Sequence, residues 1–79
     1  MVIIHRSHGL SIVIFTDDHE PAHVHVFGDG HVKINLIGGN GCPELVFARD
    51  MKRTDIRQAM QIVIDNQTAF LKRRKDIHG

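Results

Sequence analysis

The chain of 79 residues contains no tryptophan and no tyrosine, and phenylalanine occurs four times. Proteins that hold single-stranded nucleic acid commonly stack its bases on aromatic rings, so the composition argues against an ordinary stacking platform. The single cysteine, Cys42, cannot form an internal disulfide. This agrees with a reducing compartment and excludes the small disulfide-stapled class of domains.

Long apolar runs and a strong charge of one sign are also missing. The longest apolar run, Ile12 to Phe15, is too short to cross a bilayer, so no membrane role is expected. No signal sequence is recognisable at the start, and we expect an unprocessed cytoplasmic protein. Ten Lys and Arg residues against nine Asp and Glu give a formal net charge of +1. A chain this short forms a single domain over residues 1–79.

Short β-branched segments separated by turn residues predict the first half of the fold. The predicted strands cover roughly residues 2–6, 10–16, 22–27, 31–37 and 44–48. Gly9 is expected to supply a positive φ in the first hairpin turn. The apolar period then changes to about 3.6, which predicts one long helix over roughly residues 52–75. Its apolar stripe consists of Ile56, Ala59, Met60, Val63, Gln67, Phe70 and Leu71.

The predicted architecture is α+β. It is an antiparallel meander of four or five strands, with one long C-terminal helix packed on one face. The register of the second hairpin follows from its side chains. A three-residue loop, Gly28 to Gly30, sets Phe27 opposite His31 and His25 opposite Lys33, whereas a two-residue loop would mix apolar and polar residues on both faces. The three-residue loop also assigns a left-handed conformation to Gly30. The predicted apolar face is Val24, Val26, Val32, Ile34 and Leu36, and the predicted polar face is His23, His25, His31, Lys33 and Asn35.

The segment from Asp17 to Val26 concentrates three of the seven histidines beside three acidic residues and a proline. His23 and His25 point the same way in a strand, and His31 lies diagonally across from His25. The imidazoles of His23, His25 and His31, with Asp17, Asp18 or His19 at the loop edge, suit zinc or another divalent transition metal. His23 and His25 are equally candidates for a general acid and base. A polar turn leading into a solvent-facing strand explains the same pattern, so all three interpretations stay open.

Basic residues flank both ends of the predicted helix and are candidates for contacts with phosphate or nucleic acid. They are Arg49, Lys52, Arg53 and Arg57 at its start and Lys72, Arg73, Arg74 and Lys75 at its end. Ordinary solvation of an amphipathic helix accounts for them as well, because the net charge is only +1.

The segment Asp18-His19-Glu20-Pro21-Ala22-His23-Val24-His25-Val26 resembles the hallmark of a small bacterial domain of unknown function, the family numbered 4160. The ending, Lys75-Asp76-Ile77-His78-Gly79, is similar to that of many members. Ala22 departs from the usual second proline of the family, and Phe27 from a common tyrosine. The resemblance carries over Asp18, His19, Pro21, His23 and His25 as motif positions. It implies an association with toxin–antitoxin-like gene pairs and no particular reaction.

From these observations we expect a small cytoplasmic bacterial protein of the toxin–antitoxin kind, without a prediction as to whether it is an enzyme. It would bind a small partner protein, and also RNA, through the polar sheet face and the basic residues. The expected binding surface is Asp18, His19, Pro21, His23, His25, His31 and Lys33. The alternative is a metal-dependent hydrolase or nuclease built on His19, His23, His25 and His31. A homodimer is a further expectation, because a domain this small often completes its burial by association.

Overall fold

The computed structural model describes residues 1–17 and 19–78 as a five-stranded sheet followed by two helices. The strands are β1 (Val2–Ser7), β2 (Leu10–Ile14), β3 (His23–Phe27), β4 (His31–Asn35) and β5 (Glu44–Arg49), and the helices are α1 (Arg53–Asp65) and α2 (Gln67–His78). Neighbouring strands pair antiparallel in chain order, so the predicted α+β meander is confirmed. Within the described ranges, neither helix is long and apolar enough to span a bilayer.

The β3–β4 hairpin has the predicted register. Phe27 pairs with His31 and His25 pairs with Lys33 across a loop of residues 28–30. The side chains predicted for the apolar face are all 0% exposed, namely Val24, Val26, Val32, Ile34 and Leu36. Alternation along these two strands therefore determines which side chains enter the core.

Gly30 does not have the left-handed conformation that the loop length predicts. Gly9 has a positive φ of 74°, as expected, whereas the φ of Gly30 lies outside the left-handed region. At Gly30 an added Cβ would overlap the carbonyl oxygen of Arg49 and lie 2.5 Å from the carbonyl carbon of Asp50. Glycine is needed here because the end of β5 passes directly against the loop.

The prediction of one long helix is wrong, because Asn66 divides it in two. Asn66 ends α1 with φ −118° and ψ 16°, and its side-chain Nδ2 donates to the carbonyl of Ile62 at 2.7 Å. A side-chain amide that bonds to the preceding turn competes with continuation of the helix. The carbonyl of Asn66 then accepts the N–H of Phe70 at 2.8 Å, so a new helix begins at once.

The core lies between the sheet and both helices. Ile12, Ile14 and the buried valines of β3 and β4 pack with the helical side chains of Ala59, Ile62, Val63 and Phe70. Gln67 joins this layer to the loop after β4, because its Nε2 donates to the carbonyls of Leu36 at 2.7 Å and Gly41 at 2.8 Å. Both helices therefore cover the same face of the sheet.

Both edge strands contain a bulge. In β1 the pairing shifts between Ile3 and His5, so Ile4 is an extra residue. In β5 the pairing passes from Phe47 to Leu45, so Val46 is the extra residue. A bulge increases the local twist and makes an edge strand a poor template for another sheet. The two bulges therefore disfavour pairing of either edge with a strand of another molecule.

Candidate binding face of the sheet

The sheet face opposite the helices, called the open face below, is organised in rows that cross the strands. One row consists of Arg6, Ser11, Phe27, His31 and Arg49, and the next consists of Ile3, Val13, His25, Lys33 and Phe47. Directly paired residues of antiparallel strands project to the same side, so each row presents its side chains together.

The bulges decide which residues of the edge strands reach the open face. Glu44 pairs with Asn35 on this face, so plain alternation would turn Phe47 and Arg49 toward the core. The extra residue Val46 reverses this, and Phe47 and Arg49 pair with Lys33 and His31 on the open face. In β1 the extra residue Ile4 likewise brings Arg6 beside Ser11.

Three of the four phenylalanines lie on or beside the open face. Phe27 stacks on His31 with ring centroids 4.5 Å apart and planes 10° from parallel. Phe15 meets His25 edge-on at 4.6 Å, and Phe47 meets His31 edge-on at 5.1 Å. The aromatic platform that the composition argued against is therefore present. The chain has few aromatic residues, but most of its phenylalanines lie on this one surface.

His25 and His31 are joined by a direct hydrogen bond. Nδ1 of His25 lies 2.8 Å from Nε2 of His31, with the ring centroids 5.0 Å apart. Such a bond needs a proton on one nitrogen and a lone pair on the other, so at least one imidazole of the pair is neutral. Burial lowers the pKa of His31 from its ordinary value, and the neighbouring Arg49 guanidinium lowers this pKa further. Both effects favour a neutral His31.

Cations accompany the two histidines. Lys33 pairs with His25 across β3 and β4, and Arg49 pairs with His31 across β4 and β5. The Arg49 guanidinium carbon lies 5.1 Å from the centre of the Phe47 ring, within range of a cation–π interaction. Arg6 is exposed at the far end of the row, as Arg49 is at the near end. The row therefore ends in a guanidinium at each edge of the sheet.

His23 lies on the open face as predicted, but it is only 5% exposed. Its Nδ1 donates to the carbonyl of Pro21 at 2.8 Å, and its ring centroid lies 5.1 Å from that of His25. The Glu20–Pro21 peptide bond is cis. The Pro21 bond places a proton on Nδ1 of His23 and orients the ring beside His25.

The remaining motif positions are not assembled into a recognisable metal site. Asp17 and His19 are exposed, and the predicted ligand Asp18 lies outside the described residues. Among residues 1–17 and 19–78, no group of three or more His, Cys, Asp or Glu is arranged to hold a metal ion. The structure thus brings together His23, His25 and His31 with Lys33, and it joins them to Phe27 and Arg49.

The basic residues of the helices lie apart from this face. Lys52, Arg53, Arg57, Lys72, Arg73 and Lys75 are exposed; the first three lie at the start of α1 and the other three in the later part of α2. Arg74 differs, because its Nη1 lies 3.1 Å from Oε1 of Glu20 and its side chain is only 13% exposed. Sequence reasoning grouped Arg49 with the helix start, whereas the structure assigns it to the sheet.

The model of a family of unknown function, DUF4160, matches residues 9–73, which is most of the chain. The chain belongs to DUF4160. No curated protein and no solved structure matches it significantly. The DUF4160 match includes His25, His31 and Arg49 but begins after β1, so Arg6 lies outside it. The DUF4160 description assigns no activity, so the side chains of the open face are the basis for a proposed function.

Sequence reasoning missed Arg6, Ser11, Phe15 and Phe47 as members of this face. Phe15 directly follows the apolar strand β2, which gave a signal for burial alone. Arg6 and Phe47 follow bulges, and neither bulge is marked by a glycine or proline. Phe27 was the exception, because the hairpin register already placed it opposite His31.

Proposed function

We propose that this DUF4160 protein binds single-stranded RNA on the open face of its sheet. The observation that carries the proposal is the row in which the stacked rings of Phe27 and His31 lie between Arg6 and Arg49. Bases stack on aromatic rings with about 1–3 kcal/mol per base, and arginine pairs with phosphate through two parallel hydrogen bonds. The Ser11 hydroxyl in the same row can bond to a ribose 2′-hydroxyl, the group that distinguishes RNA from DNA.

The charge of the face supports binding of moderate strength. The whole chain carries a net charge of only +1, but Arg6, Lys33 and Arg49 all project from this one surface. If each contacts one phosphate, the logarithm of the binding constant should fall with the logarithm of salt concentration with a slope of about −2. Binding should therefore be readily measured at low ionic strength and weaken at physiological salt.

The proposal is tested by fluorescence anisotropy with a labelled single-stranded RNA of mixed sequence. Phe27→Ala should weaken binding by roughly 5- to 150-fold, the equivalent of one stacked base. Arg49→Gln should also weaken it and reduce the salt slope by about 0.7. Arg57→Gln is the matched control, because it removes an exposed cation from α1. An equal loss in the Arg57 variant would move the binding site to the helices and refute the proposal.

A small protein partner of the toxin–antitoxin kind is a second proposal for the same face. It is supported by the combination of aromatic rings and arginine, which is enriched at protein interfaces. Co-expression with the product of the adjacent gene, followed by size-exclusion chromatography, would show a stable complex that Phe27→Ala disrupts. A homodimer through the open face would instead change the mass of the isolated protein in sedimentation equilibrium. A monomer that forms no complex would contradict both the partner protein and the homodimer.

A metal-dependent hydrolase is the remaining alternative, and the imidazoles of His25 and His31 are its best-placed ligands. The geometry favours it less than RNA binding, since the direct bond between these histidines uses a lone pair that a metal would need. Protein purified without a histidine tag should show no thermal shift on adding zinc, manganese or nickel. A clear stabilisation by one of these ions at stoichiometric amounts would restore the metal site as the leading proposal.

A further inference from the structure

We propose that the open face holds its RNA across the strands of the sheet, on a path that begins at Arg6 and ends at Arg49. The length of this path is fixed by the sheet, so the ligand is a single-stranded segment of about four to six nucleotides rather than a nucleotide or a dinucleotide. This inference rests on the proposed binding of RNA, and it adds the direction of the bound strand and the minimum length of the ligand.

The charges around the open face favour a path across the β-strands over a path along them. An RNA that ran along the β-strands would leave the sheet near Asp29 and Asp50 at one end and near Glu44 at the other, and all three side chains are exposed. Carboxylates repel the phosphate backbone, whereas guanidinium groups attract it. An RNA that crosses the sheet leaves it at Arg6 on one edge and at Arg49 on the other. The crossing path therefore has a cation at both of its ends.

Both ends of the path depend on a bulge. Ile3 lies on the open face opposite Val13, so plain alternation would turn Arg6 toward the core, and the extra residue Ile4 returns Arg6 to the open face. The extra residue Val46 does the same for Arg49 on the other edge strand. Bulges commonly redirect a side chain at a functional surface. Here two separate bulges, on strands that do not touch, place a guanidinium at each end of one row.

The separation of the two edge strands determines the length of the ligand. Four inter-strand steps of about 4.8 Å separate β1 from β5, so the row is about 19 Å long. A fully stacked strand advances about 3.4 Å per nucleotide and covers this distance with about six nucleotides. An RNA whose bases leave their own stack to lie on Phe27 and His31 advances further per nucleotide. It needs about four nucleotides, which is the lower end of the site sizes found for binding by stacking.

The first test uses the unaltered full chain and labelled single-stranded RNAs of about three to twelve nucleotides in fluorescence anisotropy. Affinity should rise steeply up to about six nucleotides, because the second arginine is then engaged within the same complex. Beyond that length it should rise only with the number of positions at which the RNA can occupy the row. The slope of the logarithm of the binding constant against the logarithm of salt concentration should be steeper by about 0.7 for an RNA that spans the row than for the shortest RNA.

The second test compares Arg6→Gln with Arg49→Gln, both at exposed positions. With an RNA of about eight nucleotides, each substitution should reduce the salt slope by about 0.7, since each removes one phosphate contact. With the shortest RNA, which reaches one edge of the sheet at a time, either substitution alone should weaken binding by no more than about twofold, because the other edge still offers a contact. Glu44→Gln should change the affinity no more than Asp76→Asn, which removes the same charge from α2.

The outcomes separate this inference from the proposed binding of RNA. Affinity that grows steadily with length, without a break near six nucleotides, would overturn the fixed path and leave RNA binding intact. An equal loss in the Arg49 variant for the shortest and the longer RNA would do the same. A much larger gain from Glu44→Gln than from Asp76→Asn would place the RNA along the β-strands and overturn its direction. RNAs that remain unbound at every length would overturn both proposals.

Discussion

Replacing Gly30 by alanine is expected to destabilise the protein and to displace Arg49 from the open face. The new methyl group would overlap the carbonyl oxygen of Arg49 and lie 2.5 Å from the carbonyl carbon of Asp50. Overpacking usually costs about 1–3 kcal/mol, and the upper end applies here because the obstacle is backbone rather than a flexible side chain. A domain of this size has a total stability of roughly 4–12 kcal/mol, so a quarter or more of it would be lost.

Circular dichroism during thermal unfolding measures this effect. A loss of about 3 kcal/mol corresponds to a fall in Tm of roughly 10–20 °C for a domain of this length. Alanine substitutions at two other glycines distinguish steric overlap from backbone conformation as the cause of the destabilisation. Gly39→Ala meets nothing within 4 Å, has no positive φ and should be neutral or stabilising by about 0.4–1 kcal/mol. Gly9→Ala also meets open space but has a φ of 74°, and should cost about 1–2 kcal/mol through conformation alone.

The variants also separate stability from binding. Gly30→Ala should weaken RNA binding at a temperature where the variant is still folded, because Arg49 no longer lies opposite His31. Gly9→Ala should leave RNA binding unchanged under the same conditions. If Gly30→Ala melts within a few degrees of Gly39→Ala, then the end of β5 does not lie close enough to Gly30 to exclude a Cβ.

Two further predictions concern side-chain contacts. Gln67→Ala removes the bonds to the carbonyls of Leu36 and Gly41 and should lower the free energy of unfolding by about 1–3 kcal/mol in urea denaturation; Gln61→Ala, which loses only an exposed bond to Asp65, should change it little. The pKa of His31 is lowered in the folded state, so the unfolded chain binds more protons below the ordinary pKa of about 6.5. The contribution of His31 to stability should be complete above that pH and decline as the pH falls below it and through the lowered pKa of the folded state. His31→Gln should flatten this part of the stability curve, and an unchanged curve would contradict the lowered pKa.

The parts of the fold that depend on local pattern could be predicted from the sequence. The β3–β4 register followed from alternation and loop length, and it correctly separated Val24 and Val26 from His25. The helix break escaped prediction because Val63 and Phe70 both face the core, so the apolar period continues across Asn66. The apolar period shows which side of a helix is buried. It does not show that the Asn66 side chain bonds to the carbonyl of Ile62 and ends the helix.

The candidate site was predictable only where a single hairpin determined it. His25, His31 and Lys33 were assigned to one face because β3 and β4 pair without irregularity. Arg49 was assigned to the helix start, since its true position depends on the extra residue in β5. The role of Gly30 depends on the same strand, which lies far from it in sequence. The positions of Arg49 and Gly30 both depend on how β5 pairs with β4, and the local sequence pattern does not determine that register.

Deletion of the codon for Val46 would remove the bulge from β5. Loss of that one codon would leave Glu44, Leu45, Phe47, Ala48 and Arg49 on their present sides, because the remaining residues would alternate regularly. The open face would thus keep its present side chains from β5. The strand would lose the local twist that makes its edge a poor template for other strands, and Leu45, already 41% exposed, would border a straighter edge. Such a deletion would be silent in a binding assay and visible as fibre formation or precipitation at high concentration.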